Sequence, residues 1–195
     1  MTARLEQQVA FLNEADRLKS VLRGTTLCDR SRYENSAEHS WHLALYALVL
    51  ADQAGPGVEI DRVMRMLILH DLVEIDAGDN PIFGEHDAAA VAAQEQSAAD
   101  RIFGLLPSDL AADLRAIWEE FEANETPSAQ FAKSLDRFQP PMQNLQSGGG
   151  SWVDYDVRYD QFETRVGSKI GAGAPGLWVF ARQKVKAWFE ARGKG

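Results

Sequence analysis

The chain has 195 residues, 45% of them hydrophobic and 25% charged, an ordinary globular composition long enough to bury a core without disulfide or metal staples. Its formal net charge of −9 argues against a nucleic-acid polymer or an anionic membrane as partner, since both want a basic face. Cys28 is the one cysteine, no apolar run approaches the ~20 residues of a membrane span, and the N-terminus carries no apolar leader; the expectation is a soluble cytoplasmic protein.

Helical periodicity dominates from the first residues onward. A helix is predicted from about Leu5 to Leu22, with Val9, Leu12, Ala15 and Leu18 or Lys19 on its repeating face. An irregular basic segment, Arg23 to Asn35, follows. Asn35 with Glu38 three residues on reads as a capping box, opening a second helix through HSWHLALYALVLAD that is apolar on nearly every side and therefore central. Gly55-Pro56-Gly57 stops it. A third helix is predicted from near Asp61 through VMRMLILHDLVEI to Gly78.

After the Asn80-Pro81 break, His86 to Phe103 is an Ala-rich helical stretch ending at Gly104. Pro107 opens the next helix, and Thr126-Pro127 the one containing FAKSLDRF, which Pro140-Pro141 should kink or end. Ser147 to Ser151 reads as the most flexible stretch. Tyr155 to Ile170 is a weaker helix and Leu177 to Ala191 an amphipathic one. About seven helices and no clear strand predict an all-α fold.

His70 and Asp71 carry the strongest chemical signal. Val63, Leu67, His70 and Glu74 fall on one helix face, while Asp71 shares a side with Met64 and Ile68, where an unpaired carboxylate is costly. A His-Asp dipeptide alone is ordinary. Here, however, His39 and His42 lie one turn apart on the central helix. Glu74 and Asp79 crowd the same end as Asp71, and a cation is the simplest remedy for such repulsion. Gly78 allows the sharp turn before Asp79.

The strings NSAEHSWH, HDLVEIDAGD and KSLDRF, in that order, resemble the HD-domain phosphohydrolases, most nearly the branch of bacterial 5′-deoxynucleotidase and its eukaryotic relatives. The resemblance spans most of residues 15 to 146. It implies an HD-domain helical bundle: residues 1–195 form one domain, with its core at about 15–146 and a helical extension at 151–195. It implies His39, His70, Asp71 and Asp136 as ligands of one divalent transition metal (Mn, Fe, Co, Ni or Zn). Asp136 is identified by the resemblance only; its own surroundings read as an i,i+3 pair with Lys133.

The implied activity is hydrolysis of a phosphate monoester, a (deoxy)nucleoside 5′-monophosphate. Such catalysis draws on an acidified water and a polarised phosphoryl oxygen. Glu74 would orient the water or take its proton, and Asp79 would protonate the leaving alkoxide or hold the sugar. Arg23 matches a phosphate-binding arginine, with Arg30 and Arg32 as weaker candidates, and His42 is read as lining the cleft. The family's tryptophan after that arginine is replaced here by Gly24, so deoxyribose selectivity does not carry over. Trp152 reads as a buried anchor rather than a lid. The apolar residues Leu177, Trp178, Phe180, Val185, Trp188 and Phe189 read as core or a homodimer contact. A diesterase or pyrophosphohydrolase, and a non-catalytic metal- or nucleotide-binding regulator, are the alternatives on the same scaffold.

Overall fold

A computed structural model describes residues 2–195. Helix α1 (Thr2–Ala15) passes through a 3-10 turn into strand β1 (Leu22–Thr26), which pairs antiparallel with β2 (Tyr33–Asn35). The helix predicted to reach Leu22 therefore ends early, and the segment read as irregular is a β-hairpin. Val21 has already turned extended, and the adjacent Thr25-Thr26 pair suits a strand better than a helix. Its buried side also differs from the expected one. Phe11, stacked on Phe103, and Leu18 are buried, whereas Val9 and Leu12 are exposed.

The capping box forms as expected: Asn35 Oδ1 accepts from the Glu38 N–H at 3.0 Å and Glu38 Oε1 accepts from the Asn35 N–H at 2.8 Å. It launches α2 (Ser36–Val49), which packs along α3 (Ile60–Leu69). The chain then tightens into a 3-10 turn over His70–Val73 before the short α4 (Glu74–Ala77), so the single helix expected here is broken at His70 and Asp71. Leu67 is the reason at hand. Its carbonyl, which would serve only the Asp71 N–H in a continuous α-helix, receives the His70 ring Nδ1 at 2.9 Å.

Helices α5 (Ala88–Phe103) and α6 (Ser108–Ala123) close one side. Helix α7 (Pro127–Ser147) is the spine, touching α2, α3 and α6. Its Thr126 cap accepts from the Ala129 N–H at 3.1 Å, with Pro127 in the first turn where no donor is missed. Pro140 and Pro141 do not end it. They leave the carbonyls of Asp136 and Arg137 without a helical donor, and packing on both sides carries the helix through.

The chain continues as α8 (Ser151–Asp154), α9 (Tyr159–Phe162), a π turn, α10 (Ser168–Gly173) and α11 (Pro175–Glu190), with α10 and α11 laid against α7. Gly173 makes that approach possible, since a Cβ there would sit 2.1 Å from the Gln130 carbonyl oxygen. The stretch read as most flexible is a tight turn of three glycines at positive φ, set against Arg30, Trp188 and Asn144. Trp152 just beyond it is buried, with ring centroids 5.6 Å from Phe162, 5.1 Å from Trp188 and 5.1 Å from Phe189. No helix among the described residues is long and apolar enough to cross a membrane.

Candidate active site

Three elements converge on one buried point. His39 comes from α2, His70 from the 3-10 turn after α3, and Asp136 from the middle of α7; each offers a ligand atom within 4.8 Å of the others. That separation is close to twice the ~2.0–2.2 Å length of a metal–nitrogen or metal–oxygen bond. His39 Nε2 lies 3.1 Å from Asp136 Oδ1. Because His70 Nδ1 donates to the Leu67 carbonyl, its Nε2 is turned inward, 2.9 Å from Asp71 Oδ1 and 3.7 Å from Asp136 Oδ1, with no hydrogen bond made. An unpartnered ring nitrogen facing carboxylate oxygens at a buried point fits a divalent cation.

The electrostatics show the same surplus of negative charge around His70. Burial works against a charge on His70, but Asp71 and Asp136 outweigh it and push its pKa up to about 10. Burial would raise Asp71, yet His70 and Arg23 hold it down to about 2. Asp136 lies well below the usual carboxylate range, since Arg137, His39 and His70 overcome its desolvation. The Asp136–Lys133 pair expected from spacing does not form. Lys133 instead bonds Glu122 at 3.0 Å and caps the Phe121 ring at 3.9 Å.

Arg23 is the counter-charge. Its Nη1 donates to Asp71 Oδ2 at 2.8 Å and lies 3.8 Å from Glu74 and 3.9 Å from Asp79. Glu74 accepts from Ser36 Oγ at 2.5 Å, and burial with Asp71 nearby raises its pKa well above the ordinary value. Burial raises Asp79 too. The hairpin explains how Asp79 is held. Leu22 pairs with Asn35 and Thr26 with Tyr33, so Arg23, Gly24 and Thr25 bulge opposite Glu34 alone. The Gly24 N–H, released from the ladder, donates to Asp79 Oδ2 at 3.2 Å. Gly78, at φ +74°, turns the chain so that Asp79 can meet it.

A polar cavity of about 130 Å³ opens on His70, Asp71, Glu74 and Asp136. Beside it lies a second cavity of about 70 Å³ walled by Gly24, Pro81, Phe83, Trp152 and Tyr155. Arg23, Asp79, Asn80 and Arg137 line both.

Not every expected residue arrives. His42 is turned from the cleft: three residues from His39 is about 60° short of a full turn, and its ring sits on Gln139 and Tyr46 beside an apolar groove with Phe138 and Phe180. Arg30 lies against the glycine turn and Arg32 forks onto Glu38 at 2.5 and 2.8 Å, both away from the cleft. His86 is exposed. Conversely, the sequence reading missed Glu34, Gln139 and Gln143, all buried beside His39. Glu34 precedes the capping Asn35 and reads as loop. The Thr-Thr opposite Tyr33 was the available sign that a strand would carry it inward.

The HD domain family model matches residues 15–178. This chain belongs to the HD domain family. A structure described as a predicted metal-dependent phosphohydrolase, from Magnetospirillum magnetotacticum MS-1, superposes with a TM-score of 0.91 at 45% identity, covering 98% of this chain and 97% of that one. Among curated relatives, the 5′-deoxynucleotidase HDDC2 of Homo sapiens is 31% identical over 128 residues, 65% of this chain and 61% of that protein. The aligned part thus spans about three-fifths of that relative's own length. A 5′-deoxynucleotidase of Photorhabdus laumondii is 28% identical over 148 residues, 71% of this chain and 75% of that protein.

Proposed function

We propose that this HD-family protein is a metal-dependent phosphomonoesterase that releases phosphate from a nucleoside or deoxynucleoside 5′-monophosphate. The observation that carries this is the inward-facing trio of His39, His70 and Asp136, set beside a polar cavity with two carboxylates of raised pKa. His39, His70, Asp71 and Asp136 would hold one divalent transition metal, whose identity follows from availability among Mn, Fe, Co, Ni and Zn. Bound there, it would acidify water and draw charge from a phosphoryl oxygen.

The chain's own residues then have separable tasks. Glu74, held by Ser36 Oγ, orients the attacking water and takes its proton. Asp79 lies at the mouth shared by both cavities, where a proton kept by burial can pass to the leaving 5′-oxygen. Arg23 balances the acid cluster and meets the incoming phosphate. The neighbouring cavity takes the nucleoside. At Gly24, a Cβ would come no closer than 3.6 Å to Pro81, and Tyr155 is the aromatic side chain nearest to it. The same reading takes residues 1–195 as one HD domain extended by residues 151–195, acting in the cytoplasm as a homodimer. The exposed apolar side chains Trp41, Val49 and Phe180 suit a second copy.

The test is phosphate release from a panel of ribo- and deoxyribonucleoside 5′-monophosphates by stripped protein resupplied with single metals. Wild type should turn over with metal alone present, and Asp71→Ala and Glu74→Ala should each lose at least about 100-fold. Release that persists without metal, or in both variants, would overturn the reading.

A further inference from the structure

Glu34 is 1% exposed, yet nothing in the proposed chemistry uses it. Its Oε1 accepts from Gln139 Nε2 at 3.0 Å and from Gln143 Nε2 at 2.8 Å, two donors one turn apart on α7. Its Oε2 makes no hydrogen bond but lies 3.3 Å from His39 Nδ1 and 3.7 Å from Arg23 Nε, and both of those nitrogens also lack a hydrogen-bond partner. A buried carboxylate aimed between two unpartnered N–H groups is expensive unless it completes them.

We propose that Glu34 is the positioning residue of this site, fixing His39 with its Nδ1 proton outward and Arg23 by its Nε at the same time. This rests on the metal-centre reading above. With Nδ1–H directed to Glu34, His39 can present only Nε2 toward Asp136 and the metal, which sets the ring's tautomer and its tilt. Through its other contact, the same oxygen sets which edge of the Arg23 guanidinium turns to Asp71 and the cavity. Metal affinity and phosphate affinity are thereby tied to one carboxylate. The Gln139–Gln143 pair clamps that carboxylate by its far oxygen, so the clamp and the ligand Asp136 travel on one helix.

The experiment titrates stripped protein with Mn2+ or Co2+ alone by calorimetry, in wild type, Glu34→Gln and Glu34→Asp, with thermal unfolding of each. Glu34→Gln keeps the shape and removes the charge; Glu34→Asp keeps the charge and withdraws it from His39. Both should weaken metal binding by about 10–100-fold. At saturating metal, KM for a nucleoside monophosphate should stay raised in Glu34→Gln. Glu38→Ala serves as control: it removes the capping-box acceptor four residues on, lowering Tm without moving the metal Kd. Unchanged metal Kd in both Glu34 variants overturns the assignment, as does a Kd loss matched by Glu38→Ala. Should Glu34→Gln fail to fold, Glu34→Asp decides alone. Absence of metal binding by wild type would instead bring down the metal-centre reading, and this assignment with it.

Discussion

The molecule buries two regions by opposite means. In the C-terminal cap, Trp152, Phe162, Trp188 and Phe189 close on one another with ring centroids 5.0–6.4 Å apart, and apolar area removed from water is the main stabilisation. In the centre, α2, α7 and the 3-10 turn bury Glu34, His39, His70, Asp71 and Asp136, with Arg23 as the main counter-charge. Charge buried this way returns little net stability, because desolvation opposes each pairing. The contrast is a division of labour: the cap walls a cavity with apolar side chains, and the centre holds crowded carboxylates that Arg23 partly offsets.

Breaking the cap tests this most severely. Trp152→Ala should cost about 3–5 kcal/mol in unfolding free energy, read from denaturant melts, while metal Kd stays within about twofold. A collapse of both together would show that the two regions are one unit. Next in size, metal at about 100 times its Kd should stabilise the protein by about 2.7 kcal/mol, a Tm rise of roughly 5–10 °C at this chain length. Calorimetry before and after chelation would show it, and Asp136→Asn should lose most of the shift.

The smallest effect is a slope. Burial, Asp71 and Asp79 raise the Glu74 pKa above its ordinary 4.5, so between that pH and its folded pKa the native state binds more protons than the unfolded one. Stability of the metal-free protein should therefore fall as pH rises from about 4.5, by at most about 1.4 kcal/mol per pH unit for one proton. Glu74→Gln should flatten that fall and be the more stable form at pH 8. A steeper fall in the variant would reverse the assigned sign.

Where periodicity and caps decide the structure, the sequence was readable. Asn35 and Thr126 cap the helices they were expected to cap, and Gly104 and Pro107 bracket the turn between α5 and α6. His70, Asp71, Glu74 and Asp79 were legible as a crowd of charge at the end of an apolar run. Asp136 was not, from its own surroundings: its spacing to Lys133 pointed elsewhere, only the resemblance carried by KSLDRF named it, and its place beside His39 depends on α7 meeting α2, a tertiary fact. The hairpin was lost for a similar reason. Three residues of β2 are too short for an alternating pattern, so Glu34 looked like surface. His42 was misplaced because three residues fall about 60° short of a full turn, an offset that carries its ring onto Gln139 and Tyr46.

The bulge of Arg23, Gly24 and Thr25 against Glu34 has a bearing on how this protein can diverge. Surface loops ordinarily absorb insertions and deletions at little cost. The tip joining these strands, residues 27–32, cannot do so freely, because strand register decides whether Arg23 and Glu34 point inward, and a slip of one residue turns both outward. The tip is thus a ruler for the active site, open to exchange of side chains but closed to changes of length.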